Sequence, residues 1–375
     1  MKTTGFVLRA ALAVAALLLA SCTPDGGTIY ATVESETRTT DNSLPNTLTV
    51  SALASPGVSG TWYVAAGTLY KGVLSAGSVT WLPNPSAPTR SYNPADSLAN
   101  ALAYYNGRLW GGFITAGTNL GLYSSAVSAP GYDASAFTAD TDANVLGKEV
   151  TMLRVANNHL FMAGATLSGS PLAYHYELDY NASGAGWSPP ALSGLASPIV
   201  GVAWDGGSTY YIASGAAVYS DSNPGGAFAT VEAVGIAAGD QVNDIVGDPV
   251  HQRVFVTTQK GGLYYKYGAA AWAAIPAPQV NSATVSLLSI AGPIDTAGAN
   301  EVYLLGTDGY GYYTLSVAGG SLTRFSDSTI ALYAASVGRL LVDSGTVLMG
   351  TNGAGLWRAT FDTTSGALAS AWTHE

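Results

Sequence analysis

The sequence predicts an all-β fold, a seven-bladed β-propeller of four-stranded blades, with six or eight blades as the alternative counts. Three observations predict it. Only 10% of the 375 residues are charged, while 48% are hydrophobic and 45 are glycine. That composition suits short strands and tight turns better than long helices, whose outer sides need many charged residues. A small or apolar residue followed by an aromatic recurs at Leu69-Tyr70, Leu122-Tyr123, Ala173-Tyr174, Val218-Tyr219, Leu263-Tyr264, Gly311-Tyr312 and Leu356-Trp357. A second register keeps the same beat at Tyr63, Trp110, Phe161, Tyr211, Phe255, Tyr303 and Leu348. Both repeat at about 47 residues, the scale of one propeller blade.

Each blade then resolves into four strands. Most residues of the second register follow an apolar run, such as "NALAYYN", "TMLRVAN" or "GRLLVDS", which reads as an inner strand. A third aromatic follows the pair at Trp81, Trp187, Phe228, Trp272, Phe325 and Trp372, with Tyr132 in that place in the second unit, and marks a fourth strand. A four-stranded meander cannot cover both of its own faces, so neighbours must cover it and the series must close. The expected blades are 46–89, 90–145, 146–192, 193–233, 234–280, 281–327 and 328–375, one domain spanning 46–375. Since the last unit holds its own fourth strand around Trp372, closure is expected by packing of the chain ends, or by residues 29–33 pairing with the last blade.

The first 21 residues read as an export signal. "MKTTGFVLRAALAVAALLLASC" has a basic start and an apolar stretch from Ala10 to Ala20, short of the roughly 20 residues a membrane-spanning helix needs. Its end, Leu19-Ala20-Ser21-Cys22, resembles the lipobox of bacterial lipoproteins. The resemblance implies cleavage before Cys22 and a diacylglycerol and acyl lipid on its thiol, hence attachment to a membrane in the cell envelope, the outer membrane on its periplasmic or surface side. Cys22 is the single cysteine, so no internal disulfide can form, and lipidation accounts for a thiol that an oxidising compartment would otherwise attack. Residues 22–45 are polar and turn-rich and read as a tether.

The charge balance, 14 basic against 24 acidic residues for a formal net charge of −10, disfavours nucleic acid, whose phosphates such a field repels. No cofactor is expected beyond the lipid. The glycines of "GTNGAGLWRA" stand in the order Gly-x-x-Gly-x-Gly before a strand-like run, and "GTDGYGYYTL" repeats the arrangement one unit earlier. Both are predicted hairpin turns, since a dinucleotide loop must open a helix. The one His/carboxylate constellation is "AYHYELDY", where alternation on a strand puts His175, Glu177 and Asp179 on one face and Tyr174, Tyr176, Leu178 and Tyr180 on the other. These three could act as metal ligands or acid/base groups. They could equally form a polar face, because next-but-one residues on a strand stand about 6.5 Å apart, awkward for shared coordination. No catalytic residue and no metal is assigned.

The fourth unit, "YYIASGAAVYSDSNPGGAFATV", resembles the repeats of Asp-box (sialidase-type) and assembly-factor propellers, with Asp221, Asn223, Gly225 and Phe228 at the positions of the Asp-box turn. The seventh, "LLVDSGTVLMGTNGAGLWRAT", is similar to blades of the large sensor-regulator propellers. A sialidase would need clustered arginines to hold a sugar carboxylate, whereas Arg38, Arg90, Arg108, Arg154, Arg253, Arg324, Arg339 and Arg358 are scattered along the chain. The expected function is therefore non-catalytic: a monomeric, lipid-anchored ring that binds a protein or glycan partner. The alternatives are a carbohydrate-active propeller enzyme and a scaffold for assembling outer-membrane proteins.

Overall fold

The computed structural model describes Leu44 and residues 48–83, 97–115, 118–128, 133–134, 136–168, 173–182, 186–189, 191–260, 262–294, 301–317, 321–324 and 330–375. Cys22, the leader, residues 29–33 and all of the expected tether but Leu44 lie outside the described residues, as do Tyr132 and Phe325, and Leu44 is buried with Val50 and Trp62. The chain from Asn42 onward is a seven-bladed β-propeller whose blades are antiparallel meanders with strands in sequence order. The innermost strands are Ala52–Ala54, Ser97–Tyr105, Glu149–Ala156, Ile199–Trp204, Val242–Asp248, Leu287–Ala291 and Val337–Asp343. The sole described helix is a single turn, Ile330–Tyr333, between blades six and seven.

The aromatic registers have a direct physical cause. Every second-register residue lies on the second strand of its blade and is buried. The core is divided into seven apolar clusters, one at each blade-to-blade interface. Trp187, Phe228, Trp272 and Trp372 each stand just ahead of a fourth strand, and Trp81 lies within one. In blade two Phe137 holds that place, directly before Thr138–Ala139 and edge-on to Phe113 at 5.6 Å.

The blades fit because the innermost strands of blades two to seven each carry a bulge. Register shifts by one residue between Ala99 and Ala101, Val150 and Met152, Ile199 and Gly201, Val242 and Asp244, Leu287 and Ser289, and Val337 and Arg339. The residue paired just after the shift is always small: Gly112, Ala163, Ala213, Thr257, Gly306 and Gly350, with Ala65 at the matching position of blade one. Into this notch fits the next blade's inner strand. A Cβ on Gly112 would lie 2.5 Å from Val150, one on Gly350 would lie 2.5 Å from Val50, and one on Gly306 would meet the Val337 carbonyl. A bulge adds twist and bends the strand, which lets radial sheets converge on an axis without collision.

Ring closure uses both chain ends of the propeller. Blade seven draws its fourth strand, Thr373–His374, from its own sequence. Blade one packs on it through Val50, Trp62, Val64, Leu348 and Leu356. The Val50 amide donates to the Thr351 carbonyl at 3.0 Å, and Ser55 and the Trp62 indole both donate to Asp343. Glu375 accepts from the Trp81 indole at 3.1 Å and from Arg358 at 2.5 Å.

The glycine clusters are turns between second and third strands. In blade seven the Thr351 amide and hydroxyl both donate to the Gly355 carbonyl, and in blade six Thr307 does the same to Gly311. Gly353 and Gly355 have φ of 90° and 68°, which glycine adopts without steric cost.

The notch makes a graded prediction. Gly112→Ala and Gly350→Ala should each cost about 1–3 kcal/mol through overpacking, while Gly338→Ala, with open space where a Cβ would go, should stay within about 0.5 kcal/mol of wild type. Urea midpoints of the three variants check the order.

Candidate functional site: the central channel and its surroundings

The bulges aim side chains into the axis of the ring. Asn100, Thr151, Val200, Asn243 and Gly338, the residues set out of register in blades two to five and seven, all line a central cavity of about 450 Å³. Three charged residues stand among its lining: Arg154, Asp244 and Arg339. Arg154 reaches from blade three past blade four to blade five, where it donates to Asp244 Oδ1 at 2.9 Å and to the Ile245 carbonyl at 3.1 Å. Gly201 lets blade five approach, since a Cβ there would press on Ile245 at 2.8 Å. Asp244 is held in turn by the amides of Ile245 at 2.9 Å and Ile290 at 3.3 Å. The acid is thus fully committed to fixed donors.

Arg339 has no such acid. Its Nε donates to the Ser51 carbonyl at 2.7 Å and its Nη1 to the Gly338 carbonyl at 2.8 Å. Water reaches it along the channel, yet protein surrounds it, and loss of hydration pushes its pKa below the usual guanidinium value. Asp244 pulls the other way and Arg154 adds to the lowering. The arginines that look scattered in the sequence therefore converge in part, because the ring brings the innermost strands of blades three and seven to one axis.

His175, Glu177 and Asp179 lie on the third strand of blade three, Ala173–Ala182, opposite Thr166, Gly164 and Met162. The structure brings two of the three together around a residue that the sequence reading left out. Lys148 Nζ stands 2.8 Å from Glu177 and 2.7 Å from Asp179. Room for the lysine comes from Gly164, whose Cβ would lie 2.8 Å from the Lys148 chain. Asp179 is fully buried and its Oδ1 has no hydrogen-bond partner among the described residues. Burial pushes its pKa up to about 6 against the opposing pull of Lys148, with Glu177 and Asp142 adding to the rise. Charge on Lys148 is favoured by both carboxylates despite its burial. His175 is half-buried and takes no part in the ion pairs.

Other polar groups brace the ring. Asp221 accepts from the amides of Asn223 at 2.9 Å and Phe228 at 3.2 Å, and Asn223 accepts from Gly225 at 3.0 Å, so the degenerate Asp-box folds as a turn that buries Phe228. Lys266 pairs with Glu232 at 2.9 Å, Arg253 with Glu301 at 2.8 Å, and the buried Tyr303 hydroxyl donates to Asp248, which also holds His251 at 2.6 Å. One further cluster is partly exposed, with Tyr333 its most accessible member. Arg324 lies 3.7 Å from the Tyr333 ring centroid and 5.4 Å from that of Tyr310. Tyr310 is in a turn between second and third strands and Tyr333 is in a connection between blades. In a meander these two kinds of loop share one edge, so the cluster sits on a single face of the ring.

Fold and channel together define the class, a seven-bladed β-propeller with a polar axis. No protein-family profile matches the chain, and no curated protein does either. Solved structures share the architecture. A structure of YCF48 bound to a D1 peptide is 14% identical with a TM-score of 0.59 over 86% of this chain and 95% of that one. YCF48 from Cyanidioschyzon merolae is 15% identical with a TM-score of 0.56 over 84% and 95%. The extracellular domain described as that of a one-component system, BT4673, from B. thetaiotaomicron is 17% identical with a TM-score of 0.53, covering 74% of this chain and 33% of that one. At these identities the likeness is one of fold.

Asp179 yields a pH test. Its folded pKa of about 6 exceeds the ordinary 3.8, so the folded state holds this proton more tightly than the unfolded chain does. Its contribution is therefore full below about pH 4 and is lost as pH rises through about 6. Asp179→Asn should remove that fall. Urea unfolding at a series of pH values from 4 to 7 should show a flatter profile for the variant than for wild type.

Proposed function

We propose that this chain is a lipid-anchored ring of the bacterial cell envelope that binds a protein partner on one face and is not an enzyme. The observation that carries the binding reading is the Arg324 cluster, a guanidinium stacked between Tyr310 and Tyr333 with Tyr333 39% exposed. Tyrosine and arginine dominate binding energy at protein interfaces because they offer large, rigid contact area with a polar tip. Support also comes from YCF48, a propeller of similar architecture seen with a peptide bound. The engagement of acids and bases in blade-to-blade bracing favours binding over catalysis, since Lys148, Glu232, Asp248 and Glu375 are all spent on neighbouring side chains.

Anchoring rests on Leu19-Ala20-Ser21-Cys22. Two or more acyl chains on one cysteine hold a protein to a bilayer where one chain would not. The tether would then let the ring reach a partner near the membrane surface.

Two measurements test these readings. Crosslinking in cells followed by pull-down should recover a specific protein with wild type and several-fold less with Tyr333→Ala at equal expression. Equal recovery from the variant, or turnover of a glycan panel by the pure protein, would refute the reading. In metabolic labelling with palmitate, wild type should take up label and Cys22→Ala should not.

A further inference from the structure

The central channel holds an unbalanced positive charge in a chain of formal net charge −10. Of the three charged residues on its wall, Arg154 and Asp244 neutralise each other at 2.9 Å. Arg339 remains. Two of its nitrogens are fixed by main-chain carbonyls of blades one and seven, which orient the guanidinium plane. Its Nη2 makes no hydrogen bond among the described residues, and neither does the side-chain amide of Asn100 on the same wall. Of the other polar wall groups, Ser51 donates to the Ala65 carbonyl, Thr151 to the Ala163 carbonyl, Ser289 to the Val337 carbonyl and Asn243 to the Leu287 carbonyl, while Tyr104 also lines the wall. Between these polar points the wall is apolar, with Leu53, Leu102, Leu153 and Leu340.

From this geometry we infer that the central channel is a binding site for an organic monocarboxylate with an apolar body. The carboxylate meets Arg339, whose planar fork matches two carboxylate oxygens, and the apolar part lies along the leucines. A single negative charge balances the single unpaired guanidinium. A dianion such as phosphate would bring its second charge toward the fixed carboxylate of Asp244 on the same wall, which repels it. The site is distinct from the Arg324 cluster and stands whether or not that face binds a protein. The carboxylate itself could belong to a free small acid or to an aspartate of an extended peptide, and both present the same group.

Ligand-observed saturation-transfer NMR on the full chain tests it with butyrate as probe and butyramide, its uncharged isostere, as control. Wild type should transfer saturation to butyrate and not to butyramide. Arg339→Gln should weaken butyrate by about tenfold or more, as loss of a charge-assisted pair does, and Arg253→Gln, outside the channel, should leave it unchanged. Should Arg339→Gln disturb ring closure, Asn100→Asp leaves Arg339 in place and adds an opposing charge, so it should abolish butyrate binding. The peptides Ac-Gly-Asp-Gly-NH2 and Ac-Gly-Asn-Gly-NH2 distinguish the sources: binding of the Asp form alone places the carboxylate on a protein, and binding of neither, with butyrate bound, places it on a small acid. Equal transfer to butyrate and butyramide, tighter binding of inorganic phosphate than of butyrate, or butyrate binding unaffected by Arg339→Gln and Asn100→Asp would overturn the proposal.

Discussion

The close approach of successive inner strands is the constraint on which the rest of this structure depends. Seven sheets can share one axis only if their inner edges nearly touch. Here the contact is a bulge that bends the innermost strand in blades two to seven and a small residue on the second strand that receives the next blade. Val150 over Gly112 and Val50 over Gly350 are copies of one arrangement at different points of the ring. Because the fit involves Cβ positions and main chain, a flexible side chain could not absorb an error, and packing defects of this kind are costly.

That constraint also shapes the channel. A strand bent by a bulge presents two neighbouring residues where a regular strand presents one, so Asn100, Thr151, Val200 and Asn243 come to line the axis. Most of these are small or donate back to the main chain, which satisfies them in place. Arg154 and Arg339 differ because they are long enough to cross to other blades, where they donate to the Ile245 and Ser51 carbonyls. The electrostatic character of the axis therefore follows from the mechanics of closing the ring.

The polar groups away from the axis do a different task. Lys148 with Glu177 and Asp179, Lys266 with Glu232, and Arg358 with Glu375 are each largely shielded from water. Breaking such a pair leaves a charge without its partner, so these contacts hold strands within blades three and seven and, through Lys266 and Glu232, blade five against blade four. Asp179 shows the cost of that shielding, since burial outweighs its lysine and keeps the proton on the carboxyl at mildly acidic pH.

How much was legible differs between the fold and the site. The number of blades, the four strands in each and the nature of the glycine turns follow from local pattern, because aromatic residues on second strands and glycines at positive φ answer to neighbours within one unit. Phe137 escaped that pattern, since the insertion around it in blade two displaced the beat. The bulges left a faint mark in the sequence, a polar or small residue interrupting each inner run, as in Leu98-Ala99-Asn100 and Val337-Gly338-Arg339. Alternation on a strand correctly grouped Glu177 with Asp179, but it could not supply Lys148, which arrives from the connection between blades. Arg154, Asp244 and Arg339 are far apart in sequence and come together only because ring closure brings the innermost strands of blades three, five and seven to one axis. The sequence by itself determined the repeating unit, for strand periodicity and turn chemistry are local. The tertiary structure alone decided which charges share a channel, for that depends on how many units close the circle and how deeply each inner strand bends.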